Sequence, residues 1–429
     1  MDELRSAHPL RGRDFRLLFG ARVLSLTGDA AVPAALALAV LRATGSTSAL
    51  ALVLGCAMVP RLLLLPIGGV VADRLNARGV ALATDLLGCA AQLFAGIELL
   101  GGQPDLWHLA IAQVIGGTAS AFQTPTISPL VAGTADPSGL HKANSLLGAA
   151  NGATRLAGPA LAGTLVLTVG PGWTFVLDAA SFAASAALLA MARVRHVPIP
   201  ARPDGGRGAF GRLISDLTEG WSEVRSRDWY WTSLIAHAVW NGASAVLLTL
   251  GPAIAIDRLG GEGAWIATVQ VGAVGLVAGA LLAARVRPRR PVLVANLGLA
   301  LFALPLVLFA VAAPAPLAIA AYGLSGAGLG VLNPTWETVV QLTVPQHALA
   351  RVTSYDWLLS LGAAPLGYAL APWAASAWGT STPLLIAAFL VATSCLATAA
   401  VPGVRHLTML TEAPAKRLAT PGTEPAPMT

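Results

Sequence analysis

Twelve apolar runs, each long enough to cross a bilayer, occupy most of this sequence and leave little else to fold. A spanning helix needs about 20 mainly apolar residues. Such runs fall at 17–41, 48–72, 80–100, 106–133, 146–169, 173–194, 229–252, 264–285, 291–312, 316–341, 353–376 and 382–402. Only 11% of the 429 residues are charged, against about 25% in average soluble domains. So sparse a set of charges cannot cover a water-facing surface, so much of this one faces lipid. Buried in lipid, backbone N–H and C=O groups must be satisfied within the chain, which makes such runs helices. The expected fold is an all-α integral membrane protein with 12 transmembrane helices in two six-helix bundles. Ala, Leu, Val and Gly dominate the apolar residues, a composition suited to close helix approach.

The basic residues orient the bundle. The net charge is +6 with 27 Lys and Arg, but they are gathered in short loops rather than on one face, which argues against a nucleic-acid surface. Cytoplasmic loops are enriched in Lys and Arg. Placing the N-terminus inside puts 22 of the 27 on the cytoplasmic side and only Arg42 and Arg258 outside. Both termini are therefore expected to be cytoplasmic, in a multi-pass protein of the cell membrane. Arg5, Arg11, Arg13 and Arg16 precede a run longer than a signal-peptide core of about 7–15 residues, read as an uncleaved first spanning helix. The expected organisation is a first six-helix bundle at 1–194, a cytoplasmic linker with an amphipathic helix at 195–228, a second bundle at 229–403, and a disordered cytoplasmic tail at 404–429. In the linker Phe210, Leu213, Ile214, Leu217 and Trp221 recur at helical spacing, as on a helix lying along a membrane surface. Cys56, Cys89 and Cys395 have no metal-ligand spacing and read as core residues.

The halves repeat each other. Residues 68–78 read GGVVADRLNAR and residues 279–289 read GALLAARVRPR, so Gly68, Arg74 and Arg78 match Gly279, Arg285 and Arg289, while Asp73 becomes Ala284. Pro125-Thr126 match Pro334-Thr335, and Leu140 and Lys142 match Leu349 and Arg351, at nearly the same offset. Two repeats related by an axis along the membrane normal place a substrate site at their interface, near the midplane. A small-molecule carrier follows, with membrane lipid as its surroundings and no cofactor or metal expected.

Gly69-Val-Val-Ala-Asp73-Arg74-Leu-Asn-Ala-Arg78 resembles the loop between helices 2 and 3 of the major facilitator superfamily. Ala143-Asn144-Ser145-Leu146, Arg155-Leu-Ala-Gly158-Pro159-Ala-Leu-Ala-Gly163, Phe175-Val-Leu-Asp178-Ala-Ala-Ser181-Phe182 and Ala350-Arg351-Val352-Thr-Ser354-Tyr-Asp356-Trp357 extend the likeness. Together they are similar to the drug:proton antiporter-3 branch, which contains macrolide-efflux and enterobactin-exporter-like transporters. The resemblance implies a monomer that exports an amphipathic small molecule in exchange for protons. It also implies that Gly69, Asp73, Arg74 and Arg78 form a gating loop, with Asp85 as carboxylate partner for Arg78 or Arg74. Gly158, Pro159 and Gly163 resemble the antiporter motif of helix 5. Many proton-coupled drug exporters have an Arg before a Gly-rich run in helix 4; this chain has Gln113 before Gly116-Gly117.

Charges inside spanning helices are the sharpest candidates, since one at a helix centre costs roughly 2.5–3.5 kcal/mol even on insertion scales. Asp29, Arg61, Arg155 and Asp178 are such residues, and Asp29 is expected to pair with Arg155 or Arg61 around a central cavity. His237, Trp240 and Asn241, on the counterpart of helix 1, are further cavity candidates. An import or facilitated-diffusion role of the same fold is the alternative. Of enzymes, an intramembrane serine protease is suggested by Gly323-Leu-Ser325-Gly326, but the only later histidines, His347 and His406, fall in cytoplasmic segments and leave no buried base. The two lysines, Lys142 and Lys416, belong to no phosphate-binding loop.

Overall fold

Helices are set here by lipid and by caps rather than by amphipathic patterning. The computed structural model describes residues 9–136, 140–195, 221–285, 288–344 and 346–408. The first half contains α1 (Arg13–Thr44), α2 (Thr47–Arg74), α3 (Ala77–Leu100), α4 (Leu106–Thr134), α5 (Leu140–Thr168) and α6 (Gly172–Met191). The second contains α7 (Asp228–Arg258), α8 (Glu262–Arg285), α9a (Pro291–Ala300), α9b (Ala303–Ala310), α10 (Ala315–Thr343), α11a (Gln346–Gly362), α11b (Ala364–Trp378) and α12 (Ser381–Ala397). The amphipathic helix expected in the linker and the tail beyond residue 408 lie outside the described residues. So do the side chains of Asp73, Arg74 and Arg155 and the surroundings of Gly69.

Tight turns are capped locally. Gly45 ends α1 at φ 62°, and the Ser46 hydroxyl then accepts from the Ala49 N–H to start α2. Asn76 and Asp105 cap α3 and α4 in the same way. Ten described stretches are long and apolar enough to span a membrane, α9a with α9b and α11a with α11b each counting as one. The two remaining helices, α4 and α5, carry interior polar residues (Gln113, Ser120 and Gln123; Asn151 and Thr154) that lower their hydropathy.

Within each half, glycine lets two helices touch backbone to backbone. A Cβ on Gly68 or Gly117 of the α2–α4 seam would strike the carbonyl of Ala121 or Ala57. On the α8–α10 seam Gly279 and Gly330 meet Ala327 and Leu276 likewise. Gly68 and Gly279, matched in the repeat, therefore hold corresponding seams. Gly323 and Gly326 belong to the second seam, packed against Val271 and Gly272, and the Ser325 hydroxyl donates to Tyr322 O at 2.8 Å. The Gly-x-Ser-Gly sequence is thus a helix-packing element.

The two halves meet unequally along their length. Both described ends of the chain lie on one face, here called the basic end; the opposite face is the distal end. One apolar core joins Val32, Leu36 and Leu38 of α1 with Leu247, Leu250 and Ile254 of α7 and with Trp265 and Ile266 of α8, all toward the distal end. A second core, built around Phe15, Leu18, Leu130 and Leu189, contains only first-half residues and sits at the basic end. Among the described residues the halves are joined distally and share no apolar core at the basic end.

Candidate functional site

Helices α1 to α4 each turn one stripe of residues toward a central cavity of about 320 Å3, to which α6 adds Phe182. The stripes follow the helical period: Asp29, Val32, Pro33 and Ala37 on α1; Leu54, Ala57, Met58 and Arg61 on α2; Thr84, Gly88 and Gln92 on α3; Gln113, Gly116, Gly117, Ser120 and Gln123 on α4. The second half supplies only Leu248 of α7 and Tyr368 of α11b. The walls combine apolar surface with one carboxylate, one guanidinium and three amides. Such a mixture suits an amphipathic guest, in line with small-molecule sites that are mostly apolar with few polar groups.

Asp29 and Arg61 both open onto this cavity. Asp29 interacts electrostatically with Arg22 and Arg61, and with Asp85 of like charge. No described ion pair contains Asp29, so its carboxylate faces the cavity without a contact counter-ion among the described residues. Of the two expected partners, Arg61 is at the site, while the Arg155 side chain lies outside the described set.

Asp178 lies just behind the wall. It is fully buried, its Oδ1 accepts from the Ser181 hydroxyl at 3.2 Å, and a Cβ on Gly28 of α1 would overlap that oxygen. It is a wall residue beside Asp29, not a lining one. Asp85 does not contact Arg78, one of its two expected partners; the Arg74 side chain lies outside the described residues. Asp85 is 1% exposed and accepts from Gln123 Nε2 and from the Ser185 hydroxyl, both at 2.6 Å. Two turns inside α3, it is engaged by α4 and α6. Arg78, near the α3 start, instead donates to the carbonyls of Leu189 and Ala190, where a cation satisfies the open carbonyls ending α6.

The second half answers with a neutral counterpart. Asn296 on α9a, matched to Asp85 by the repeat offset, donates to Ser233 Oγ at 2.9 Å and to Thr398 Oγ1 at 3.2 Å. His237, Trp240 and Asn241 do not line the cavity. His237 and Asn241 share the face of α7 that carries Leu248, but three and two turns nearer the basic end, where α10 covers His237 with Trp336 at a ring separation of 4.7 Å. Trp240 packs on Phe302 at 5.0 Å, and Asn241 donates back to His237 O at 2.9 Å. Local neighbours convert a favourable helical phase into core packing.

Gly158 and Gly163 do bring helices together. Gly158 lies against Ala30 of α1 within its own half, and Gly163 against Ile266 and Gln270 of α8 across the interface; Pro159 is buried between them. Gln92, Gln123, Tyr368 and the pair Arg42–Glu262 were not singled out by sequence reasoning. Glutamine in an otherwise apolar run was the available signal for Gln92 and Gln123. Arg42 and Glu262 join the ends of α1 and α8 by a bidentate contact, Nε to Oε1 at 2.6 Å with Nη2 on Oε2. It is the one ion pair between halves among the described residues.

A duplicated helical membrane bundle enclosing a mixed polar and apolar cavity between its halves defines a solute carrier. The major facilitator superfamily model matches residues 18–360, and the chain belongs to that family; it is a transporter. The multidrug efflux pump Tap of Mycobacterium tuberculosis is 28% identical, covering 94% of this chain and 96% of the relative. Tap of Mycolicibacterium fortuitum is 26% identical over 81% and 85% of the two chains. In fold, the chain is similar to a sulfate-bound POT peptide transporter (TM-score 0.71, 14% identity, 93% and 97% covered). It is similar also to the nucleoside transporter NupG (TM-score 0.67, 12% identity, 90% and 99% covered).

Proposed function

We propose that the chain exports amphipathic small molecules by proton antiport with alternating access, in the cytoplasmic membrane, with both termini cytoplasmic. The observation that carries this reading is Asp29: a carboxylate open to the central cavity, with Arg61 across it and no contact counter-ion among the described residues. Such a group can take a proton when the cavity faces one side and release it when facing the other, provided substrate occupancy and protonation compete. The distal closure of the halves, with no apolar core shared at the basic end among the described residues, corresponds to a cavity open to the cytoplasm, ready to load an exported molecule. The two efflux-pump relatives support the direction. The bundles at 1–194 and 229–403 act as the moving bodies of a monomer joined by the linker at 195–228, and the loop Gly69, Asp73, Arg74 and Arg78 gates them, Arg78 through its hold on the end of α6. Lipid bathes the outer faces.

Efflux from inverted vesicles, with and without an imposed pH gradient, tests this reading. Asp29→Asn is expected to abolish the pH-driven component while leaving substrate binding within a few-fold. Unchanged coupling in that variant would remove Asp29 from the mechanism, and transport in the opposite sense would replace export by import.

A further inference from the structure

A second, larger opening lies on the outside of the same seam. Between α2 and α11b runs a groove of about 800 Å3, inside the range of small-molecule sites. One helix wall separates it from the central cavity: α2 turns Met58 and Arg61 inward and Gly55, Cys56 and Val59 outward. Tyr368 of α11b borders both spaces, and its hydroxyl forms no hydrogen bond with a described residue. At the distal mouth stands Trp373, 58% exposed, in edge contact with Trp378 at 5.3 Å. Aromatic side chains so placed belong to the headgroup level of a membrane. The groove therefore faces the bilayer, is mostly apolar, and reaches to a polar residue that it shares with the transport site.

We propose that this groove is a lateral site for an amphipathic small molecule dissolved in the distal leaflet, and that Tyr368 is the wall it passes between lipid and cavity. The proposal deepens the export reading and rests on it: the aqueous distal route is closed by the joined cores of α1 and α7, so a membrane-soluble substrate has this seam as its nearest exit. The apolar part of the guest lies along Gly55 and Val59, and its polar part meets the Tyr368 hydroxyl. An acyl chain of a lipid would use the apolar part alone and would have no need of Tyr368.

Cys56 gives the test a native handle. In lipid nanodiscs, with Cys89→Ser and with Cys395 fully buried, N-ethylmaleimide reports Cys56 alone. Rhodamine 6G is the probe. At four times its Kd, simple occupancy slows Cys56 alkylation about fivefold. Binding is read separately by dye anisotropy. Gly55→Leu narrows the groove, with nothing within 4 Å of a Cβ there; it is expected to remove the dye's protection of Cys56 and to slow dye association with the central cavity and dissociation from it. Protection that survives Asp29→Asn while pH-driven transport is lost separates the groove from the central site. Absence of Cys56 protection overturns the proposal and indicates lipid in the groove; dye binding that persists without it leaves the export reading standing. Unchanged dye kinetics in Gly55→Leu also overturn it.

Discussion

Arg42 and Glu262 hold the distal ends of the two halves together, and cutting that contact must shift the balance between closed and open distal states. The side chains are 39% and 22% exposed, so much of their attraction is screened. Exposed ion pairs contribute about 0.2–1 kcal/mol, and bidentate Arg–carboxylate geometry places this one toward the upper end. With about 1.4 kcal/mol per factor of ten, a loss of about 1 kcal/mol changes the closed-to-open ratio roughly fivefold. Arg42→Ala or Glu262→Ala is expected to enlarge the distal-open fraction by that factor. Spin labels on Gln103→Cys and Asp257→Cys, exposed at the distal end of each half, in a background without native cysteines, read it by pulsed electron paramagnetic resonance. Exchanging the two residues, Arg42→Glu with Glu262→Arg, should restore most of the closed population. Because the pair is partly solvated, raising salt to about 1 M, where the screening length is about 3 Å, should shrink the difference between wild type and single variants. Single variants with wild-type distance distributions, or a swap that rescues nothing, would refute the claim that this pair latches the distal end.

Two stability predictions follow from packing. Gly158→Val drives a side chain into the Ala30 backbone and should cost about 1–3 kcal/mol or more; Gly152→Ala, with open space around it, should be neutral or raise the melting temperature through helix propensity. Equal melting curves for the two variants would contradict the α1–α5 contact. Ser185→Ala removes one of the two donors to buried Asp85 and should cost about 1–3 kcal/mol, seen as a melting temperature lower by several degrees. Asp85→Asn should recover part of that loss in the double variant, since a neutral amide demands less; strictly additive losses would mean that Ser185 and Asp85 do not interact.

Membrane residence, the number of spans, the repeat and the place of Asp29 and Arg61 on the cavity wall were all legible as sequence, because a charge or a long apolar run has the same meaning in any lipid-embedded helix. The cavity itself was only partly legible. In water an amphipathic stripe marks the buried face of a helix, whereas here lipid and core are both apolar, and α2 shows nearly the same residue types to the cavity, the seam and the bilayer. Polar residues escape that ambiguity, which is why Asp29 and Arg61 were found and why the glutamines of α3 and α4 could have been. His237 shows the limit from the other side: its type and helical phase suit the cavity, but Trp336 lies over it. The family resemblance implied Arg78 or Arg74 as the partner of Asp85, while the folded chain engages it with Ser185, 100 positions away. The amino-acid sequence alone therefore determined that this protein is a duplicated helical bundle in a membrane with charges near its midplane. Only the tertiary structure decided which of those charges meet, which face of each helix looks inward and where the halves touch, because those are facts about neighbours brought together from distant parts of the chain.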